Sequence, residues 1–160
     1  MSGGACPVTS PWVEALATIR SAAAQAPSPE DAVRRAMHLI HEHLPKYQWV
    51  GVYLLRGEVL ELGPYVGPPT EHTRIPVGRG VCGTAVAQGR NQVIEDVRQV
   101  ENYLACSPTV RSEIVVLIRH AGRIVGQIDA DCDKVGAFGP EDEACLTEVA
   151  ALLAPQVAKL

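Results

Sequence analysis

The chain has 160 residues, of which 47% are hydrophobic and 20% are charged, and its formal net charge is −4. This composition indicates one globular domain with a sizeable core and excludes a disordered chain. No basic stripe runs through the sequence, so we expect no nucleic-acid binding. Its apolar runs are too short to cross a bilayer, and residues 1–10 lack the pattern of a secretion signal. We therefore expect a flexible tail over 1–10, a single domain over 11–160, no contact with membranes and a cytoplasmic location.

Two helices are predicted in the first third of the chain. The first begins at Pro11 and runs to about Ala24, with apolar residues at helical spacing. The second follows Ser28-Pro29, where a capping serine, a proline in the first turn and two acids favour a helix start. Pro45 ends this second helix.

The middle of the chain is strand-like, and a last helix closes it. Strands are predicted over 49–55, 59–65, 91–95, 113–119 and 124–131, a short helix over 82–87, and a final helix after Gly139-Pro140. A long polar segment covers 96–108. This order predicts an α+β fold with a central, mainly antiparallel sheet and the N- and C-terminal helices packed on one face.

Two of the five cysteines have unusual surroundings. Cys82 lies among glycines at a predicted helix start, and Cys106 ends a polar segment just before an apolar strand. In a cytosolic chain such thiols indicate redox chemistry, although two buried cysteines that pack as small hydrophobes are an open alternative. We expect Cys145 to be structural and Cys6 to have no role, and the position of Cys132 at a strand end leaves its role uncertain.

Three acids flank the predicted hairpin near the end of the chain. Asp129 and Asp131 are two residues apart on a strand, so they share one face, and pairing would bring Glu113 to the same end of the sheet. Carboxylates gathered in this way raise at least one pKa, as a general acid requires. The alternative is that all three are solvated strand ends.

The sequence gives little support for a metal or nucleotide site. His38, His41 and His43 do not place two histidines four residues apart, and the cysteines have no short paired spacing. Residues 78–83 match a GxGxxG pattern, but no clear strand precedes them. We therefore expect no bound metal and no bound organic cofactor.

Several short segments, taken in order, resemble the GAF-domain family of free methionine-(R)-sulfoxide reductases. The resemblance covers about residues 49–131. Its segments are Trp49-Val50-Gly51-Val52-Tyr53, Leu62-Gly63-Pro64-Tyr65, Arg74-Ile75-Pro76, Gly80-Val81-Cys82-Gly83-Thr84-Ala85, Glu95-Asp96-Val97, Leu104-Ala105-Cys106, Ser112-Glu113-Ile114-Val115-Val116 and Ile128-Asp129-Ala130-Asp131.

The resemblance implies a role for each matching residue. Cys106 corresponds to the catalytic cysteine and Cys82 to a resolving cysteine, while Trp49 and Tyr53 correspond to aromatic residues around the methyl-sulfur end of the substrate. Glu113, Asp129 and Asp131 correspond to the acids around the sulfoxide oxygen. Many members have a further cysteine where this chain has His72, whose role the sequence leaves open.

The implied activity is the thiol-dependent reduction of free methionine sulfoxide to methionine. Cys106 would attack the sulfur, Cys82 would close a disulfide, and a thioredoxin-type dithiol would restore both thiols. The resemblance also implies a homodimer. A non-catalytic GAF module that senses a small molecule or a redox change is the alternative, and a catalytically inactive dimer module is a third.

Overall fold

The computed structural model describes residues 10–104 and 107–160. Its helices are α1 (Pro11–Ala24), α2 (Pro29–His43), α3 (Gly80–Gln88) and α4 (Pro140–Val157). Its strands are β1 (Trp49–Arg56), β2 (Val59–Val66), β3 (Arg74–Pro76), β4 (Gln92–Ile94), β5 (Ser112–His120) and β6 (Arg123–Cys132), and a 3-10 turn covers Val97–Gln99. Within the described ranges, no helix is both long enough and apolar enough to span a bilayer.

The six strands form one sheet in the order β3-β2-β1-β6-β5-β4, and every described pairing is antiparallel. The predicted α+β architecture is therefore confirmed. Sequence reasoning did not predict β3, because three residues are too short for an alternating pattern to appear. Its position at the edge of the sheet accommodates Pro76, which has no N–H to donate to a further strand.

Serine side chains fix the starts of the first two helices. The Oγ of Ser10 accepts from the backbone N–H of Trp12 at 3.0 Å, and the Oγ of Ser28 accepts from that of Asp31 at 3.1 Å. Each bond satisfies one of the N–H groups that a helix start leaves without an intrahelical partner. The predicted start at Ser28 is confirmed.

The two faces of the sheet have different partners. Val52, Ile114 and Ile128 lie on one face, in a core that includes buried residues of α1, α2 and α4. Alternate residues of the same strands, such as Tyr53 and Val115, lie in a second cluster with α3 on the other face. The period of two along each strand thus separates a structural core from the face that holds the acids.

Candidate functional site

The three predicted acids meet on the α3 side of the sheet. Asp131 of β6 lies directly opposite Glu113 of β5 on one side and Trp49 of β1 on the other. Asp129 lies opposite Gly51 in the next row. Only 4% of Glu113, 1% of Asp129 and 2% of Asp131 is exposed, so the expected clustering is confirmed and the alternative of solvated strand ends is wrong.

Helix α3 places the thiol of Cys82 above these acids. The Cys82 Sγ lies 3.8 Å from Glu113 Oε2, and ligand atoms of Cys82, Glu113 and Asp129 all lie within 4.8 Å of one another. The close approach of α3 depends on Gly83, because a Cβ there would lie 2.6 Å from the Pro76 carbonyl oxygen. Cys82 is 5% exposed, so its thiol faces the acids rather than solvent.

Burial perturbs two of the carboxyl groups. It raises the pKa of Asp129, and the nearby Glu113 and Cys82 side chains offset part of this rise. Burial raises the pKa of Asp131 well above its ordinary value, and the charge of Asp129 adds to the effect. The expected rise is confirmed, but its main cause is removal from water rather than repulsion between the acids. Such groups hold a proton at a pH where an exposed aspartate has lost it.

An aromatic wall stands beside the acids. The Trp49 ring stacks against Tyr65, with centroids 5.4 Å apart, and against Tyr53 at 6.3 Å. Its indole Nε1 donates to the Pro68 carbonyl oxygen at 3.1 Å. Gly51 leaves room for the ring, because a Cβ there would lie 2.8 Å from a Trp49 ring carbon.

Two cavities open on this face. The larger, about 80 Å³, is lined by Trp49, Asp131, Gln48, Asp133, residues 68–70, Ser107, Thr109 and Val110. The smaller, about 10 Å³, is lined by Cys82, Glu113, Asp129, His72, Leu104, Ile75 and residues 79–81. Asp131 lines the first cavity and its cross-strand neighbour Glu113 lines the second, so the acids border both cavities.

The Cys82, Glu113 and Asp129 group also has the donor atoms of a cation site. One thiol and two carboxylates within 4.8 Å of one another suit a divalent transition metal such as zinc. Short histidine and cysteine spacings in the sequence do not reveal this group, because its members come from α3, β5 and β6. The two carboxyl groups can also serve proton transfer beside the Cys82 thiol.

The cysteines have separate positions. Cys106, the predicted nucleophile, and Cys6 lie outside the residues that the structure describes. Cys132 is a buried free thiol in the core on the helix side of the sheet, away from the acids. Cys145, which we expected to be structural, is buried in α4 and disulfide-bonded.

Sequence reasoning missed two side chains of this face. Gln127, which is fully buried, donates from Nε2 to the Cys82 carbonyl oxygen at 3.0 Å. Its place two residues before Asp129 on β6 is the signal that could have found it. Tyr65 extends the aromatic wall from β2, and only the pairing of β1 with β2 brings it to Trp49.

Comparisons with known proteins agree on the fold. Residues 28–157 match the GAF domain family. Solved GAF domains superpose closely, so the predicted GAF-like architecture is confirmed.

Several relatives are named for the same activity. The chain is 44% identical over 115 residues to the free methionine-R-sulfoxide reductase of Escherichia coli, covering 72% of this chain and 69% of the relative. The structure of free methionine-R-sulfoxide reductase from Neisseria meningitidis in complex with its substrate aligns at 33% identity and a TM-score of 0.87, with 98% of each chain covered. The type II enzyme from Thermoplasma acidophilum aligns at 39% identity and a TM-score of 0.80, covering 88% of this chain and 96% of that one.

Proposed function

Because this chain belongs to the GAF-domain family of free methionine-(R)-sulfoxide reductases, we propose that it reduces free L-methionine-(R)-sulfoxide to methionine. The observation that carries the proposal is the buried meeting of the Cys82 thiol with Glu113 and Asp129 beneath α3. The resolving thiol of the proposed cycle thus lies beside carboxyl groups that can supply the proton that sulfoxide reduction needs.

In the proposed first step, the Cys106 thiolate attacks the sulfoxide sulfur. The attack forms a bond between the Cys106 sulfur and the substrate sulfur. When this bond and the sulfur–oxygen bond of the substrate break, the oxygen passes to Cys106 as a sulfenic acid and methionine leaves. A carboxyl among Glu113, Asp129 and Asp131 donates the proton that the oxygen needs. Positioned acid catalysis of this kind contributes roughly 10²–10⁴-fold to a rate. The raised pKa values of Asp129 and Asp131 support this role, because burial makes these groups hold a proton at a higher pH than an exposed aspartate does.

In the proposed second step, the Cys82 thiol displaces the hydroxyl of the sulfenic acid. A disulfide forms and one water leaves, so each methionine sulfoxide consumes two thiols. A thioredoxin-type dithiol then restores both cysteines by exchange. The cycle uses no metal and no bound organic cofactor.

The aromatic wall supports a binding role for the larger cavity. Trp49 lines that cavity, and Tyr53 stacks beside it on the same face of β1. Apolar rings suit the methyl-sulfur end of the substrate, and the polar rim formed by Gln48 and Asp133 suits the charged groups of a free amino acid. The proposal also includes a homodimer in the cytoplasm, which light scattering on the purified protein and fractionation of cells would test.

The activity is tested by NADPH oxidation in a thioredoxin-coupled assay with free L-methionine-(R)-sulfoxide. We expect turnover by the wild type and none by Cys106→Ser. Cys82→Ser should release one methionine per chain and then stop, because the sulfenic acid has no resolving thiol. Asparagine or glutamine variants of the three acids identify the proton donor, and Cys132→Ser is the matched control.

Two results would contradict the proposal. Normal turnover by Cys106→Ser would exclude that residue as the nucleophile. Binding of methionine sulfoxide without turnover, with the thiols still free, would favour a sensing module of the GAF fold.

A further inference from the structure

We propose that Gln127 is a positioning residue for Cys82, and that its hydrogen bond to the Cys82 backbone sets where the thiol stands. This inference rests on the proposed function for its kinetic consequence. The Gln127 Nε2 donates to the Cys82 carbonyl oxygen at 3.0 Å, and the bond is fully buried. It joins the centre of β6 to the first turn of α3.

The hydrogen bond, and not packing, explains an amide at this position. No part of Gln127 is exposed, and its cross-strand neighbour on β5 is the apolar Leu117. The Gln127 Oε1 has no hydrogen-bond partner among residues 10–104 and 107–160. A buried amide with one unsatisfied end costs stability, so an apolar side chain of similar volume would suit the site better unless the donor is needed.

A second side chain in the same row acts in the same way. Tyr53 lies opposite Gln127 on β1, and its hydroxyl donates to the His72 carbonyl oxygen at 2.8 Å. His72 and Cys82 both line the smaller cavity. Two neighbouring sheet residues therefore hold the backbone of two different segments that enclose one small space. Such anchoring matters for Cys82, because disulfide formation requires a narrow range of sulfur positions.

The expected kinetic effect falls on the second step only. Closure converts the sulfenic acid of Cys106 and the thiol of Cys82 into a disulfide and water, and it depends on where the Cys82 sulfur stands. Loss of one buried hydrogen bond changes the population of the correct position by roughly two- to tenfold. The first step does not use Cys82, so methionine release in a single turnover should keep its wild-type rate.

Two variants separate the hydrogen bond from the size of the side chain. Gln127→Met keeps the length and volume but removes the donor, and Gln127→Asn keeps the amide but shortens its reach. The control is Tyr47→Phe, which removes a buried hydrogen bond to Asp142 in the core on the helix side of the sheet. Circular dichroism and thermal unfolding establish that each variant is folded at the assay temperature.

The first measurement is alkylation of Cys82 by iodoacetamide in the reduced protein, followed by mass spectrometry of its peptide. This readout does not depend on the reaction that the protein catalyses. We expect both Gln127 variants to react roughly two- to tenfold faster than the wild type, because the buried thiol is less firmly held. Tyr47→Phe should react at the wild-type rate.

The second measurement is a single turnover with methionine sulfoxide and no reductant. Both Gln127 variants should release methionine normally, close the disulfide roughly two- to tenfold more slowly and accumulate a dimedone-reactive sulfenic acid. If the wild type releases no methionine, the proposed function fails while the alkylation result still decides the role of Gln127. The inference is overturned if both folded variants are alkylated at Cys82 and close the disulfide at the wild-type rates, and differ from the wild type only in a lower unfolding temperature.

Discussion

Asp131 and Glu113 lie directly opposite each other on β6 and β5, and both are almost completely buried. Two ionised carboxylates in such a position would repel each other and lose their hydration, so the folded protein favours a proton on at least one of them. Deprotonation of the pair as pH rises should therefore lower the stability of the fold.

Asp131→Asn should make stability less dependent on pH. An acid whose folded pKa is raised stabilises the fold fully below its unfolded pKa, and this contribution is lost as pH rises through the folded pKa. The wild type should therefore lose stability relative to the variant as pH rises above about 4. The difference in unfolding free energy should reach about 1.4 kcal/mol for each pH unit by which the Asp131 pKa is raised. Urea titrations from pH 4 to 8 measure it, and a difference that does not vary with pH would contradict the prediction.

Gly51→Ala should disturb the aromatic wall. The new Cβ would lie 2.5 Å from the Tyr65 Cβ and 2.8 Å from a Trp49 ring carbon, so the rings must move. We expect a loss of roughly 1–3 kcal/mol of unfolding free energy, typical of overpacking, and a raised KM for methionine sulfoxide. Gly139→Ala is the matched control, because a Cβ there meets nothing within 4 Å. Equal stability and KM in the two variants would show that the wall tolerates the change.

Asp142→Asn should destabilise the protein without slowing catalysis. Burial raises the Asp142 pKa, but hydrogen bonds from Lys46, the Gly139 N–H and Tyr47 outweigh this effect, so its pKa is lowered. The stabilisation is present above the ordinary carboxyl pKa and is lost as pH falls through the folded one.

We expect a cost of roughly 2 kcal/mol at pH 7 for Asp142→Asn, and a smaller one in acid. Thermal unfolding as a function of pH measures this cost. Glu30→Gln is the control, because Glu30 pairs with Arg34 in an exposed ion pair whose loss costs little. Reduced turnover in a folded Asp142→Asn protein would contradict the prediction.

Cys132→Ala should leave turnover intact. Its thiol is free and buried, but it lies in the core with Ile114 and Ile128, on the face of the sheet that α1, α2 and α4 cover. Loss of the sulfur should lower the unfolding free energy by about 1 kcal/mol through lost packing. Steady-state kinetics should be measured for Cys132→Ala and Cys82→Ala under the same conditions. A turnover defect of similar size in both variants would show that Cys132 takes part in the reaction.

Much of the fold followed from local patterns. The capping serine at Ser28, the alternation along β5 and β6, and the Gly139-Pro140 start of α4 each depend on neighbouring residues, so the elements could be predicted and are confirmed. Strand β3 could not be predicted, because its three residues gain their conformation from pairing with β2.

For the site, the sequence by itself determined that Asp129 and Asp131 share a face, since the side chains of a strand alternate with a period of two. It also determined that Cys82 lies near the start of a helix, among glycines. Only the tertiary structure decided that α3 places this thiol on the acids, that burial is the main cause of their raised pKa values, and that Gln127 bonds to the Cys82 backbone. These are properties of long-range contacts and of the exclusion of water, which arise only when separate segments pack together.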